Sequence, residues 1–244
     1  MASPLNPVSI GAPGSLGLNT KFAGLEIGPQ FCVFARNCIV SDDGTLAARK
    51  GWSAFTGGSQ LSGKPDIEAI HEYIDNNKVS RILWAAGGKL YEGTDSKSDV
   101  SGSLTPSNNN WKFQDFNGKV IAVQEGESPI VKVDGGNFSE ISFDVTPNSP
   151  KEVLTAWGRA WYVEGQGQNI KYSDLLQEGI LNGGSSGQIN MFTVWSNGAD
   201  EIIGLQEFNN YLVIFGRKQV VIYSGGEDPN NALQLVDILD NTGC

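Results

Sequence analysis

The segment 202–223 constrains the fold most, because it consists of three short apolar runs separated by two tight turns. Asn209-Asn210 separates IIGLQEF from YLVIF, and Gly216-Arg217-Lys218 separates YLVIF from QVVIY. Asparagine and glycine tolerate the positive φ angles that hairpin turns require, and β-branched and aromatic residues favour strands. The segment therefore predicts a three-stranded antiparallel meander, with no room for a helix of useful length.

The same pattern occurs in four units, which begin near residues 67, 111, 153 and 202. A fourth apolar run follows at 137–143, 189–195 and 233–239, and a weak one follows in the first unit at 102–106. Four-stranded repeats of about 40 to 50 residues are typical of β-propeller blades, which need a neighbour to bury their faces. We therefore predict an all-β, β-propeller-like fold of four-stranded antiparallel blades, with a sandwich or a solenoid as alternatives.

The composition agrees with a fold of many short strands. The chain has 244 residues with 31 glycines, and 18% of its residues are charged. The net charge of −10 disfavours a protein that wraps nucleic acid by neutralising phosphates. No apolar run approaches the roughly 20 residues of a membrane-spanning helix, so we expect no membrane insertion.

Cysteine usage gives no sign of a cofactor or metal site. The three cysteines make an odd count without a C-x-x-C motif, which argues against a disulfide framework and against zinc. We expect no metal and no cofactor.

The sequence predicts two regions. Residues 1–28 are rich in proline and glycine and poor in large apolar residues, which predicts an extended N-terminal arm. Residues 29–244 are assigned to the propeller-like domain, and the last strand leads towards a further unit. Within this domain, Asp42-Asp43-Gly44 is an Asp-Gly hairpin signal between two β-rich runs.

The order of these motifs resembles the tail-nozzle proteins of short-tailed bacteriophages, also called packaged-DNA stabilisation or tail tubular proteins. The resemblance depends on Gly17-Leu18-Asn19-Thr20 in the arm, then FARNCIV, then DDGTLAARKGW, and finally the strand motif GLQEFNNYLVIFG. Members of that family are usually longer. Either this chain is a short or split member, or another chain or the N-terminal hairpin completes its propeller.

The resemblance implies a structural virion protein of a podovirus that is not an enzyme. It would form a homohexameric ring below the portal and adaptor, and this distal conduit would retain packaged DNA and permit its ejection. The implied partners are other copies, the head-to-tail connector, and tail fibre or other tail proteins. Genomic DNA would pass through without sequence-specific binding. The implied location is the virion tail, after synthesis in the cytoplasm of the host bacterium.

The alternative function is a β-propeller binding module that recognises a glycan or a protein partner. Under either function, exposed arm, hairpin and turn-flanking residues are the candidates for partner contacts. These are Asn19, Thr20, Asp42, Asp43, Gly44, Trp52 and Trp111. The other tryptophans lie within apolar runs and are expected to pack between blades.

The sequence contains only weak catalytic signals. Residues 183–187 match G-x-S-x-G, but a serine nucleophile needs a helix after the turn and a histidine partner. A strand is predicted after this motif, and the one histidine, His71, lies within a strand run. Three carboxylate pairs lie in turns, where solvated charge is the usual state: Asp42/Asp43, Glu125/Glu127 and Glu227/Asp228. We therefore expect no catalytic residue.

Overall fold

The computed structural model describes residues 14, 16–40, 46–51, 61–94, 96–107, 110–196 and 198–243. The chain divides into two compact units, Met1–Phe55 and Thr56–Cys244. Among the residues described, no helix has both the length and the hydropathy to cross a membrane.

The first unit contains the predicted hairpin. Strand β1 (Cys38–Val40) pairs antiparallel with β2 (Leu46–Ala48), and the turn between them lies outside the described residues. Part of the predicted arm folds back along the chain, because Leu18 forms a parallel bridge with Cys32. The N–H of Cys32 donates to the carbonyl of Gly17 at 2.9 Å.

The described residues of the second unit form four sheets of four strands, which we call blades I to IV. Blade I contains β3 (Ile67–Ile74), β4 (Ser80–Ala86), β5 (Lys89–Glu92) and β6 (Ser98–Asp99). Blade II contains β7 (Lys112–Phe116), β8 (Lys119–Val123), β9 (Ile130–Val133) and β10 (Phe138–Glu140). Blade III contains β11 (Glu152–Ala156), β12 (Arg159–Val163), β13 (Asn169–Tyr172) and β14 (Gly187–Asn190). Blade IV contains β15 (Ile202–Phe208), β16 (Tyr211–Gly216), β17 (Gln219–Ser224) and β18 (Gln234–Asp240).

Each blade is an antiparallel meander in chain order, and the first strands of consecutive blades are neighbours. This is the β-propeller-like fold that the repeat predicted, with unit starts within one residue of the predicted ones. Two predicted fourth strands differ. In blade I that strand is β6, not 102–106, where Gly102 has φ +64 and turns the chain. In blade III the strand ends at Asn190, whose side chain caps a 3₁₀ turn at Met191–Thr193.

The hairpin turns explain why the strands begin and end where they do. Asn117-Gly118, Trp157-Gly158 and Asn209-Asn210 all have positive φ at both turn residues. This geometry matches the right-handed twist of the flanking strands. Tryptophan rarely adopts positive φ. At Trp157, the indole Nε1 donates to Oδ1 of Asn210 on blade IV at 2.8 Å, which links the turns of two blades.

In the part of the chain that the structure describes, apolar side chains hold consecutive blades together in three clusters. One joins blades I and II, a second joins II and III, and the third and largest joins III and IV. Trp161 and Met191 belong to the third cluster and are fully buried. Burial of Trp161 and Trp195 in this cluster, with Trp157 packed against it, confirms that these three tryptophans pack between blades. The same expectation is wrong for Trp84, which lies in none of the three clusters because it is on the side of blade I that points away from blade II.

A buried polar network adds to the contact between blades I and II. Lys132 of blade II is buried, and its Nζ lies 2.7 Å from Oε2 of Glu92 on blade I. Tyr73 also donates its hydroxyl to Glu92, at 3.0 Å. Burial, followed by the bond to Glu92, raises the pKa of Tyr73 above its usual range. The lysine charge is therefore paired and hydrogen-bonded, as a buried charge must be.

The repeat offers a matched pair of phenylalanines for testing the packing between blades. Phe116 ends the first strand of blade II and is 4% exposed, whereas Phe208 ends the first strand of blade IV and is 71% exposed. We expect Phe116→Ala to lower the free energy of unfolding by about 3–5 kcal/mol, because it leaves a cavity between blades II and III. Phe208→Ala should cost about 0.5 kcal/mol or less in the monomer. Urea unfolding at low protein concentration measures both, and equal losses would contradict the packing described.

Candidate docking faces on the first and fourth blades

Every interface between consecutive blades pairs two different kinds of sheet face. One is the face of a blade that points towards the next blade in the chain, and the other is the face of that next blade that points towards the preceding one. Between blades II and III, for example, Phe116, Ile121 and Val123 of blade II pack against Val153 and Tyr162 of blade III. Within the second unit, one face of blade I and one face of blade IV lie outside these clusters.

The trailing face is the side of blade IV that points away from blade III. Cross-strand pairing places six aliphatic or phenylalanine side chains on it: Phe208, Val213, Phe215, Val220, Ile222 and Leu239. The positions of Val213 and Phe215 correspond to side chains that blades II and III bury completely. Phe208 pairs with the first residue of the next strand as Phe116 does, yet no cluster contains it. The trailing face therefore has the composition of an interior face but is exposed at its edges.

The leading face is the side of blade I that points away from blade II. It contains Ile70, Ile74, Ile82, Trp84 and Tyr91, and the Trp84 and Tyr91 rings are stacked with centroids 4.4 Å apart. Ile70 is 68% exposed.

The other blades show what covers the position of Ile70. Phe113, Val153 and Leu205 hold the equivalent cross-strand position in blades II, III and IV, and each is less than a tenth exposed. In each of those blades the preceding blade packs on that side. Monomers rarely expose contiguous apolar faces of this kind without a binding role.

Polar contacts between blades align the first strands. Lys112 of blade II pairs with Glu152 of blade III, and Lys151 just before β11 pairs with Glu201 just before β15. Between blades I and II, Nε2 of His71 lies 2.7 Å from Oδ1 of Asp115. These pairs are partly exposed, so they contribute register more than stability.

The side-chain hydrogen bonds of the G-x-S-x-G segment connect it to neighbouring parts of blade III. Ser185 donates its hydroxyl to Oδ1 of Asp174 at 2.7 Å and accepts a hydrogen bond from Nη2 of Arg159 at 2.8 Å. His71 bonds to Asp115 and stacks on Phe113, so the structure does not bring it to Ser185. Ser185 therefore has no histidine among the hydrogen-bond partners that the structure describes, and the Asp174 oxygen that accepts its hydroxyl also accepts the backbone N–H groups of Ser185 and Leu175.

The carboxylate pairs also lie in turns. Glu127 accepts from the N–H of Ser107 at 2.8 Å, and Asp228 accepts from the side chain of Asn231. Across the described part of the chain, no three His, Cys, Asp or Glu side chains gather where a metal ion could bind. Asp42 and Asp43 lie outside the described residues.

The predicted contact residues fall in different places. Asn19 and Thr20 lie in the first unit, where Oδ1 of Asn19 accepts from the N–H of Lys21 at 3.0 Å and Thr20 is exposed. Trp111 is 5% exposed and belongs to the cluster between blades I and II. Asp42, Asp43, Gly44 and Trp52 lie outside the described residues. The predicted contacts of all seven stay predictions.

Trp111 also borders a pocket of 380 Å³. Polar groups of Ser103, Thr105, Glu127 and Ser139 contribute to its lining. The indole Nε1 of Trp111 is buried and has no hydrogen-bond partner. A sugar-stacking platform needs an exposed ring face, and this ring is almost fully buried.

Sequence reasoning missed the side chains of the leading and trailing faces. The signal that identifies them is the alignment of the repeats: Phe208-Asn209-Asn210 aligns with Phe116-Asn117-Gly118 at the first hairpin of each blade. Such an alignment shows equivalent positions, but only the structure shows which of them lack a neighbouring blade.

No protein-family model and no curated protein sequence matches the chain. Among solved structures, the chain is similar to the computationally designed Ika4 protein, with a TM-score of 0.47 and 15% identity over 72% of this chain and 100% of that one. YCF48 bound to D1 peptide has a TM-score of 0.46 and 13% identity, over 78% of this chain and 57% of that one. The extracellular domain of a hybrid two-component system from B. thetaiotaomicron has a TM-score of 0.38 and 12% identity, over 84% of this chain and 33% of that one. The fold assignment depends on the sheet order and the packing of the blades.

Asp174 offers a test of the structural role of the Ser185 segment. The hydroxyl of Ser185, and then the backbone N–H groups of Ser185 and Leu175, hold the pKa of Asp174 below its usual range. A lowered folded-state pKa stabilises the fold above the unfolded pKa of about 4, and this stabilisation is lost as the pH falls through the folded pKa. We expect Asp174→Asn to lower the urea midpoint at about pH 7, with a smaller difference from wild type at about pH 3. A difference that does not change with pH would contradict this role.

Proposed function

We propose that this chain is a non-catalytic assembly module, a β-propeller-like subunit that binds other proteins through its leading and trailing faces. The observation that supports the proposal is the exposure of Ile70, at a position that blades II to IV bury, and of Phe208, at a position where blade II buries Phe116. Exposed apolar faces with aromatic side chains are typical of protein interaction surfaces.

The chemistry of the faces favours a protein partner over a glycan. Both faces combine branched and aromatic apolar side chains with a few charged groups, Glu72 and Asp99 on the leading face and Asp237 on the trailing face, and this mixture is typical of protein interfaces. Glycan recognition by Trp111 is less well supported, because that ring is buried between blades I and II.

A substitution at each face tests the proposal. We expect the double variant Ile70→Glu, Phe208→Glu to recover at least about tenfold less of each co-purifying protein than the wild type does, because each glutamate places a charge in a desolvated contact. The measurement is quantitative mass spectrometry of proteins that co-purify with the tagged chain from its source cells.

Phe192→Glu is the matched control, because Phe192 is 65% exposed and lies on neither face. It should retain the partners of the wild type. Equal recovery of partners by the double variant and the control would contradict the proposal.

A more specific form of the proposal is a subunit of the tail nozzle of a short-tailed phage. The motif order from Gly17-Leu18-Asn19-Thr20 to the GLQEFNNYLVIFG strand supports it. The net charge of −10 agrees with a conduit that DNA passes through, because a negative protein repels DNA. In such a nozzle, the apolar faces would contribute to subunit contacts.

The nozzle proposal predicts that the chain is a component of the virion. Quantitative mass spectrometry of density-purified phage particles from the source should find it at a fixed number of copies per portal complex. Its absence from the particles would contradict the nozzle and leave the more general assembly module in place.

A further inference from the structure

We infer that the trailing face of one copy binds the leading face of a second copy, so that the chain associates head to tail. This inference depends on the proposed function and identifies the partner as another molecule of this protein. The argument comes from the three interfaces within the chain, which show what each kind of face binds.

The trailing face matches the faces that blades II and III turn towards the next blade. In those blades the second strand contributes two side chains to the interface, Ile121 and Val123 in blade II and Trp161 and Val163 in blade III, and all four are fully buried. Blade IV has Val213 and Phe215 on this side of its second strand, both half-buried. The trailing face therefore carries the apolar groups of an interface with a further blade.

The leading face matches the faces that blades II to IV turn back towards the preceding blade. On this side of each blade, one residue of the first strand lies opposite one residue of the second strand. The pairs are Ile70 and Trp84 in blade I, Val153 and Tyr162 in blade III, and Leu205 and Ile214 in blade IV. The last two pairs are buried against the blade before them. The Ile70 and Trp84 pair is the same arrangement without that neighbour.

A second copy is the partner that presents the complementary face. Each interior interface joins a face of the trailing kind to one of the leading kind, and no interior interface joins two of the same kind. Two copies placed so that blade I of one follows blade IV of the other continue the stacking of blades already present in the chain. Such a contact is heterologous, and it gives a closed ring where the rotation between copies closes.

The test uses the full chain and two variants that each block one face. Phe208→Glu blocks binding through the trailing face, and Ile70→Glu blocks binding through the leading face. Because both side chains are mostly exposed, neither substitution should disturb the folding of its own blade. Analytical ultracentrifugation over a wide concentration range measures the mass of each species. We expect the wild type and Phe192→Glu to associate, and each face variant to bind at least about thirtyfold more weakly, as expected for a hot-spot residue.

An equimolar mixture of the two face variants decides the orientation. The trailing face of Ile70→Glu and the leading face of Phe208→Glu are both intact, so the mixture should form a one-to-one dimer that grows no further. Formation of that dimer also shows that both variants are folded.

Three results would overturn the inference: a wild type that stays monomeric, face variants that associate as the wild type does, or a mixture that forms no dimer. A monomeric wild type whose other protein partners still depend on the two faces would overturn self-association alone. A monomeric wild type with no face-dependent partner would overturn the proposed function as well.

Discussion

The structure depends on the packing of one β-sheet face against the next. Each blade is a thin sheet with apolar side chains on both faces, and a single four-stranded sheet cannot remove both faces from water. Stacking solves this for the inner blades, where Val120, Ala122, Ile121 and Val123 of one strand are all buried by the blades on either side. The largest cluster, between blades III and IV, includes Trp161, Tyr172 and Trp195. Since the stabilising free energy of hydrophobic burial is proportional to the apolar area removed from water, these large aromatic side chains contribute a large share of the stabilisation.

Polar groups then determine how the blades are aligned. Aspartates in the loops accept backbone N–H groups that would otherwise lose their hydrogen bonds. Asp200 accepts from the N–H groups of Arg217, Lys218 and Gln219, and Asp144 accepts from those of Leu181 and Asn182. These bonds join the loop before the first strand of a blade to a later loop of the same blade, so they fix loop positions that apolar packing leaves free. The paired charge of Lys132 has the same effect between blades I and II.

The same physics links the fold to the proposed function. A stack of sheets has two end faces, and in this unit those faces retain the aromatic and branched side chains of an interior interface. Isolated apolar residues on a surface need no explanation, but a sheet face made of them does. Ser185 and His71 belong to local structural contacts, since each forms hydrogen bonds with side chains that position strands or loops. The proposed function therefore depends on the two end faces and not on Ser185 or His71.

Sequence alone determined the fold class, the four repeats and most strand bounds, because alternation of side chains and turn residues such as Asn117-Gly118 are local signals. It did not predict β6, which has only two residues, or the end of β14 at Asn190, where a side-chain cap competes with the strand. Nor did it predict the burial of Trp111, because a residue beside a turn is buried or exposed according to which blade packs against it. Only the tertiary structure decided which apolar positions are covered. Phe116 and Phe208 have the same residue type and the same place in the repeat, and they differ because a further blade packs against one and not against the other.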